Sequence, residues 1–553
     1  MLYRCLPRLR IGIKYNYAEV VDMENRKTQM INGVAYVYHD KPVWDPSKKY
    51  GTHKREYIGK MVDGLFIPNK KYQLQMQIDQ IPAKKRGPVP ITASNRSFYG
   101  ATYLFDAIGE KLGVAADLKK CFPETYQQIL SIAYFLILED RNPLSRFPHW
   151  AASHKHPYGQ NIPSQRSSEL FGSISEDARQ KFFLLQAGRR IDREFLAYDT
   201  TSVSSYSKLL KQVRYGKNKD HDPLPQINLA LLYGEQSRLP VYYRKLPGNI
   251  SDVKTIRKLL LDLDFLKIEK VKLVLDRGFY SEENINALYQ NHHKFLIAVQ
   301  KSLKLVTTTL DEVRDAMRSR NCYSTKHKLN YYSCTVDWSY RECKKRSSSV
   351  ETGERRLYLH LFYNDQKAVD DKAAFNTLLD NLEEELLSGN HDPEHEKLYH
   401  KYYEISQTPV RGVSLSPKQA VIDLVEKNYG YFALISNGVK DPLEALEIYR
   451  GKDVIEKAFG NLKERLNLRR TSVSSEENLE GKLFVQFVAL IFLSYINKAM
   501  SDHNLFKDYT LQELLDDLDV IECFEQPGHK PHVGEITKKQ MDLYAKLGVD
   551  TAT

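Results

Sequence analysis

The stretch DPLEALEIYRGKDVIEKAFGNLKERL, residues 441–466, is the most informative part of the chain. Asp441 is a suitable helix N-cap, Pro442 suits the first helical position, and Glu444 suits the third. Apolar residues then recur at intervals of three and four, which is the period of an amphipathic helix. The stretch therefore predicts a helical region that packs one face against a core.

Two adjacent stripes run along this predicted helix. If the helix is unbroken, one stripe carries four polar residues, Tyr449, Lys452, Glu456 and Lys463. The other stripe is apolar and would anchor the helix, with Ile455, Phe459, Leu462 and Leu466. Glu456 then lies at the border between the buried and exposed faces. An ordinary amphipathic helix with Lys–Glu pairs gives the same pattern, and Gly451 could break the helix.

Two aspartates follow apolar segments that are typical of buried strands. Asp199 closes the segment EFLAYD, and Asp276 closes the segment VKLVLD. A carboxylate at a strand end is held by the core and can still reach solvent, substrate or metal. Either aspartate alone is also a common turn residue, and Arg277 and Gly278 after Asp276 suit a turn.

Together, Asp199, Asp276 and Glu456 supply only oxygen donors, which are the ligands that Mg²⁺ or Mn²⁺ prefers. Two such ions about 4 Å apart can activate the attacking oxygen and stabilise the leaving oxygen in a displacement at phosphorus. The tyrosine and the two lysines of the polar stripe can contact phosphate oxygens near the cleaved bond. The acids therefore predict metal-dependent phosphodiester chemistry.

The sequence pattern divides the chain into predicted segments. They are, in order, a small basic β-rich domain at 1–95, a helical region at 96–193, an α/β core part at 194–302, a β-rich insertion at 303–420, a second α/β core part at 421–500 and a C-terminal tail at 501–553. The core parts combine an antiparallel meander with alternating helices and strands, which predicts a mixed sheet.

Both N-terminal segments are candidates for DNA contact. Residues 163–171 and 176–187 read as helices joined by a Gly-containing turn, a pattern compatible with a helix-turn-helix. Any helical bundle could produce that pattern, and a solvated surface around a small β core would equally explain residues 1–95. The tail could support dimerisation.

The charge balance suggests a polyanionic partner, because 81 Lys and Arg exceed 70 Asp and Glu, for a net charge of +11. The six cysteines contain no CxxC pair, which favours a reducing compartment over a disulfide framework. The N-terminus lacks a signal-peptide core, and the apolar run at 483–496 is short for a bilayer span. We therefore expect a cytoplasmic protein with no membrane partner.

The block YRGKDVIEKAFGNLK resembles the Y-x2-R-x3-E-x6-K signature of a large group of bacterial insertion-sequence DDE transposases, with Lys452 in the arginine position. The blocks YDTTSVSSYS and LVLDRGFYSEENI resemble those that carry the first and second aspartates of that group. The three blocks occur in the required order. The resemblance runs, with gaps, over 195–300 and 428–495, and the aromatic-basic N-terminal segment is similar to that of the longer members.

This resemblance implies an α/β fold with a ribonuclease H-like catalytic core that contains the β-rich insertion. By matching motif, it implies the metal ligands Asp199, Asp276 and Glu456. It also implies the groups that bind transposon-end phosphates, which are Tyr449, Lys452 and Lys463. Lysine keeps the charge of arginine but loses its bidentate geometry, so Lys452 acts as a point charge or Arg450 takes that role.

Trp338 in the insertion could stack on a flipped base at the cleaved end, as an aromatic residue does in some relatives. The alternative is an aromatic residue packed in a β-sheet, which the sequence favours.

The sequence therefore predicts a bacterial, nucleoid-associated transposase that uses Mg²⁺ or Mn²⁺, with two ions in the site. Its partner would be double-stranded DNA, both the terminal inverted repeats of its element and the target. We expect a homodimer in the complex with paired ends. A ribonuclease H-like nuclease without strand transfer and a non-catalytic DNA-binding relative are the alternatives.

Overall fold

The computed structural model of the chain describes residues 26–45, 50–79, 94–189, 194–207, 209–268, 270–343, 350–408 and 412–552. Residues 1–90 and 91–553 are separate compact units. Parts of the predicted basic domain, at 1–25, 46–49 and 80–93, lie outside the described residues.

The first unit is an antiparallel sheet of strand order β1-β2-β3-β4 followed by a helix. Its elements are β1 (Arg26–Ile31), β2 (Val34–Asp45), β3 (Tyr50–Val62), β4 (Leu65–Pro68) and α1 (Lys70–Asp79). Asn32-Gly33 and Asp63-Gly64 connect the first and last strand pairs, and all four residues have positive φ. This is the conformation of the tight hairpin turns that match the natural twist of paired strands.

The second unit begins with β5 (Asn95–Phe98) and a group of helices. These helices are α2 (Gly100–Lys111), α3 (Val114–Cys121), α4 (Tyr126–Leu138), α5 (Phe147–Ser153), α6 (Ser164–Ser173) and α7 (Glu176–Gly188). The next part of the chain contains β6 (Phe195–Ser205), β7 (Gln226–Gly234), β8 (Pro240–Pro247), α8 (Asp252–Phe265), β9 (Lys272–Leu275), α9 (Glu282–Gln290) and β10 (Lys294–Val299).

The remaining elements complete the same unit. Residues 303–420 contain α10 (Lys304–Met317), β11 (Tyr323–Ser324), β12 (Leu329–Cys343), β13 (Val350–Tyr363), α11 (Asp365–Ser388), α12 (Glu396–Tyr402), β14 (Tyr403–Thr408), β15 (Gly412–Pro417) and the start of α13 (Gln419–Glu426). The last elements are β16 (Tyr431–Ser436), α14 (Pro442–Gly451), α15 (Asp453–Gly460), β17 (Arg470–Thr471), α16 (Glu476–Asp502), α17 (Leu511–Asp519), β18 (Glu522–Glu525), β19 (His532–Val533) and α18 (Lys538–Lys546).

A large mixed sheet dominates the second unit. Among the described residues its strand order is β11-β12-β13-β16-β10-β9-β6-β7-β8, with β17 added beside β6. The strands β6, β9 and β10 are parallel neighbours, whereas β6-β7-β8 is an antiparallel meander. The predicted mixed α/β fold with a mixed sheet is therefore confirmed.

The predicted β-rich insertion is instead mixed. The β12–β13 hairpin joins the central sheet through pairing of β13 with β16, so it is not a separate β domain. The helix α11 follows, and it buries Phe375, Leu382 and Leu386 in a small core of its own. These residues recur at helical spacing among charged ones, which is why a helix forms here.

The predicted C-terminal tail is a packed part of the second unit. Strand β18 pairs with β5, and the Tyr544 hydroxyl donates a hydrogen bond to the Gly100 carbonyl oxygen at 2.8 Å. The polar β5 sequence NRSF carries no apolar period that would predict this pairing. The dimerisation role expected of this segment stays a prediction.

The long helix α16 is apolar and long enough to cross a membrane by composition, but 78% of its most apolar window is buried inside this unit. It packs directly against α6, the first helix of the predicted helix-turn-helix. A Cβ atom at Gly481 would lie 2.1 Å from the Phe171 carbonyl oxygen. The backbones of α16 and α6 therefore approach so closely that only glycine fits at this position.

We expect Gly481→Ala to destabilise the second unit by roughly 1–3 kcal/mol, because the added methyl group meets backbone rather than a movable side chain. Thermal unfolding followed by circular dichroism measures the loss. Gly460→Ala is the matched control, since Gly460 is also helical and nothing lies within 4 Å of an added Cβ. An equal midpoint for both variants would contradict the close approach of α6 and α16.

Candidate active site

The register of two parallel strands brings Asp199 and Asp276 together. Tyr198 of β6 is paired with Leu275 of β9, so the next residue on each strand is an aspartate at the same level of the sheet. Asp276 follows the last residue of β9, as predicted from its position after an apolar segment. Asp199 does not end its strand, because β6 continues to Ser205 alongside β7.

Asp276 is held from two sides. It directly precedes a 3-10 turn at Arg277–Phe279, and the Tyr449 hydroxyl donates a hydrogen bond to its Oδ1 atom at 2.8 Å. Burial alone would raise the pKa of Asp276, but this hydrogen bond and the charge of Lys452 hold it below its ordinary value. Asp276 is therefore kept ionised in a half-buried position.

The predicted helix at 441–466 is interrupted at Lys452. The helix α14 ends at Gly451 and α15 begins at Asp453, with Lys452 between them in helical conformation. A Cβ atom at Gly451 would lie 2.3 Å from the Glu235 carboxylate, so glycine admits the close neighbour. A π-helical turn at Asn461–Arg465 then follows α15. The single unbroken stripe is therefore replaced by three short helical pieces.

The ammonium group of Lys452 lies among the three predicted acids. Its Nζ atom is 3.1 Å from the Glu456 Oε1 atom and 3.9 Å from the Asp199 Oδ2 atom. Burial would lower the pKa of Lys452, but the charges of Asp199, Asp276 and Glu456 raise it above its ordinary value. Lys452 is 4% exposed and thus serves as a buried counter-charge common to the three carboxylates.

Asp199 is 14% exposed, and burial raises its pKa above the ordinary value even though Lys219 and Lys452 oppose the shift. The Lys219 Nζ atom lies 3.5 Å from Asp199 Oδ1 and 3.5 Å from Asp252 Oδ2. The Thr200 hydroxyl also donates a hydrogen bond to Asp252 at 2.5 Å. Sequence reasoning missed Lys219 and Asp252, since neither matches a quoted motif and their contact depends on the path of the β6–β7 loop.

Lys463 reaches the same loop. Its ammonium group lies 2.7 Å from an Asp220 carboxylate oxygen, so it is paired with an acid rather than placed beside Glu456. Arg450 is exposed and lies 3.3 Å from the His327 Nδ1 atom. Among the described residues, neither Lys463 nor Arg450 forms an ion pair with Asp199, Asp276 or Glu456.

Trp338 does not lie beside the three predicted acids. It lies on β12, and β13, β16 and β10 separate that strand from β9 in the sheet. The Trp338 indole donates a hydrogen bond to Asn286 at 2.8 Å, and the ring packs against the main hydrophobic core. The arrangement corresponds to the packed aromatic residue that the sequence favoured.

An open cleft of 680 Å³ begins at Asp276 and Tyr449. Arg277, Lys301 and Arg450 also line it, so its mainly apolar walls carry several cations. A cleft of this kind beside ionised carboxylates can admit a phosphate-bearing strand.

The three carboxylates suit a divalent cation, because they offer oxygen ligands and carry more negative charge than the single Lys452 ammonium group balances. Among the described residues, no three His, Cys, Asp or Glu side chains stand close enough to bind one ion together. The Glu456 side chain is 61% exposed and accepts a hydrogen bond from Lys452, whereas Asp199 lies within β6 and Asp276 directly follows β9. Joint coordination therefore requires Glu456 to turn inward and the Lys452 ammonium to withdraw.

Replacing the buried cation tests this electrostatic arrangement. We expect Lys452→Met to cost about 3 kcal/mol at pH 8, as for removal of one partner from a buried ion pair. The deficit shrinks as pH falls toward 4, because the loss of Lys452 raises the pKa of Asp199 further and protonation of the acids removes their repulsion. Unfolding midpoints measured between pH 4 and 8 report this dependence.

Lys457→Met is the matched control on the same helix. Lys457 lies 2.8 Å from Asp453, but their side chains are 75% and 57% exposed. Such a surface pair contributes about 0–1 kcal/mol. A pH-independent loss in Lys452→Met, or an equal loss in both variants, would contradict the shared counter-charge.

Comparison with known proteins identifies the family. The model of the family described as "Transposase DDE domain" matches residues 190–492, more than half of the chain. No curated protein sequence matches the chain. A cryo-EM structure of a piggyBac transposase synaptic complex with hairpin DNA is similar at 9% identity and a TM-score of 0.36, covering 71% of this chain and 70% of that one. That likeness is too low to align individual residues. From the family match, the chain belongs to the DDE transposase domain family.

Proposed function

We propose that the chain is a metal-dependent DNA transposase whose Asp199, Asp276 and Glu456 hold Mg²⁺ or Mn²⁺, with two ions bound. One observation carries the proposal, namely that Asp199 and Glu456 lie 3.9 and 3.1 Å from the Lys452 ammonium group and that the charge of Asp276 also acts on it. A pocket that already balances three negative charges with a cation is suited to a divalent ion. The core around it would be ribonuclease H-like.

Bound divalent ions would polarise the attacking oxygen and stabilise the leaving oxygen in an in-line displacement at phosphorus. The residues of the chain have separate roles beside them. Tyr449 orients the Asp276 carboxylate through its hydrogen bond, and Lys219 keeps charge balance at Asp199. Once Lys452 withdraws from the acids, its ammonium group can contact a phosphate oxygen in the cleft as a point charge.

The reaction we propose has two displacements at one site. Water cleaves each end of the element and leaves a 3′-hydroxyl, and that hydroxyl attacks the target DNA. The chain would therefore bind double-stranded DNA in two roles, first as the terminal inverted repeats and then as the target. Pairing of two ends would place two copies of the chain in one complex, and the bacterial cytoplasm is the expected compartment.

Conservative changes at the acids test the site. We expect Glu456→Gln and Asp199→Asn to reduce cleavage of DNA carrying the element's ends by roughly 10³-fold or more, because several kcal/mol of stabilisation from the ions is lost. Binding of the same DNA should change little. Cleavage is measured on labelled duplexes with Mg²⁺, and with EDTA as the metal-free comparison.

Asp453→Asn is the matched control for Glu456→Gln. Asp453 lies on the same helix, is 57% exposed and pairs with Lys457 at the surface. It should retain wild-type cleavage. If Asp453→Asn and Glu456→Gln lose activity equally, the helix rather than the carboxylate is responsible, and the assignment of Glu456 is wrong.

Formation of joined products separates a transposase from a nuclease that shares the acids. We expect pre-cleaved ends with a 3′-hydroxyl to become covalently joined to an unrelated plasmid in the presence of Mg²⁺. The joined species appears as a shifted labelled band on a denaturing gel. Pre-cleaved ends with a 3′-deoxy terminus are the control and should give no product. Cleavage without any joining would favour the nuclease.

A further inference from the structure

The net positive charge of the chain is concentrated in its first unit. Residues 1–90 contain 17 Lys and Arg against 8 Asp and Glu, a net charge of +9 out of +11 for the whole chain. The remaining 463 residues are therefore nearly balanced. Charge asymmetry of this degree within one chain indicates that a polyanion binds the first unit.

The sheet of the first unit extends into a two-stranded ribbon. Strand β1 pairs with β2 only as far as His39, and β4 pairs with β3 only from Gly59 onward. Residues 40–45 of β2 and 50–55 of β3 thus pair only with each other among the described residues. Six residues in each strand give a ribbon about 20 Å long.

Residues 40–45 and 50–55 of the ribbon carry three cations and two carboxylates, together with exposed aromatic side chains. Lys41 and Lys54 lie directly opposite each other, and both are exposed. Like charges in that arrangement repel each other. The Lys41 ammonium group lies 2.8 Å from the Glu56 carboxylate, so Lys41 is partly neutralised while Lys54 stays exposed. Trp44 is 65% exposed and Tyr50 is 55% exposed, so the ribbon presents two large aromatic side chains to solvent.

We propose that the ribbon of residues 40–44 and 51–55 inserts into the major groove of double-stranded DNA. The proposal rests on the proposed function and names the surface that captures the ends. The groove is about 12 Å wide and admits a two-stranded ribbon. Lys41 and Lys54 contact phosphates at the groove walls, and Trp44 supplies apolar contact. Duplex DNA matches both the charge and the width.

Binding by the full-length protein tests the ribbon. The probes are a labelled duplex of the element's end, a scrambled duplex and double-stranded RNA of the same sequence, each titrated at several salt concentrations. Lys41→Gln/Lys54→Gln should weaken binding to both DNAs by at least about tenfold and lower the salt slope by about 2, since each phosphate contact contributes about 0.9. Trp44→Ala should weaken binding without changing that slope.

Lys372→Gln/Lys397→Gln is the matched control, because it removes two exposed lysines from α11 and α12 and should leave DNA binding unchanged. Wild-type affinity and slope in the ribbon variants would overturn the proposal. Equally tight RNA binding through the same residues would also overturn it, since the major groove of RNA is too narrow for a ribbon.

Failure of the ribbon proposal is distinguishable from failure of the proposed function. At saturating DNA the ribbon variants should still cleave, whereas Asp199→Asn should bind and not cleave. If wild type binds and cleaves DNA while the ribbon variants bind equally well, only the ribbon is wrong. If wild type neither binds nor cleaves the ends, the proposed function itself fails.

Discussion

The charge of the Lys452 ammonium group makes the arrangement of carboxylates around it possible. Three acids gathered around one ammonium group repel one another, and partial burial strengthens that repulsion. The two aspartates cannot move apart, because the β6–β9 register fixes them as neighbours. Positive charge must therefore stand among them whenever they are ionised, and in this structure Lys452 supplies it, with Lys219 beside Asp199. Exchange of one cation for another is the simplest change that such a site can undergo.

The interruption between α14 and α15 lies beside the same group of acids. Tyr449 of α14 donates a hydrogen bond to Asp276, and Glu456 of α15 accepts one from Lys452, which stands between the two helices. Both helices therefore contribute to the site. Glycine at position 451 leaves room for the Glu235 carboxylate, which occupies the space that a side chain would need.

The sequence predicted those parts of the site that depend on local pattern. Apolar segments before Asp199 and Asp276 indicated strands, and the spacing from Tyr449 to Glu456 indicated a helix. It could not predict contacts made by loops, because Lys219 reaches Asp199 through a path that no local preference specifies. The same limit explains why the packing of the C-terminal segment was not predicted. Its strand β18 pairs with β5 more than 400 residues away, and short polar strands carry little signal.

Under the proposed function, the charge distribution separates attraction of DNA from chemistry on it. A body of 463 residues with a net charge of +2 exerts little long-range attraction on a polyanion. Within that body, two cations near the acids are already paired, since Lys452 faces carboxylates and Lys463 faces Asp220. Lys452 and Lys463 become available to phosphate only when another cation neutralises their acidic partners. Because divalent ions would provide that compensation, metal binding and release of the lysines toward DNA are expected to be coupled, while the first unit supplies the initial attraction.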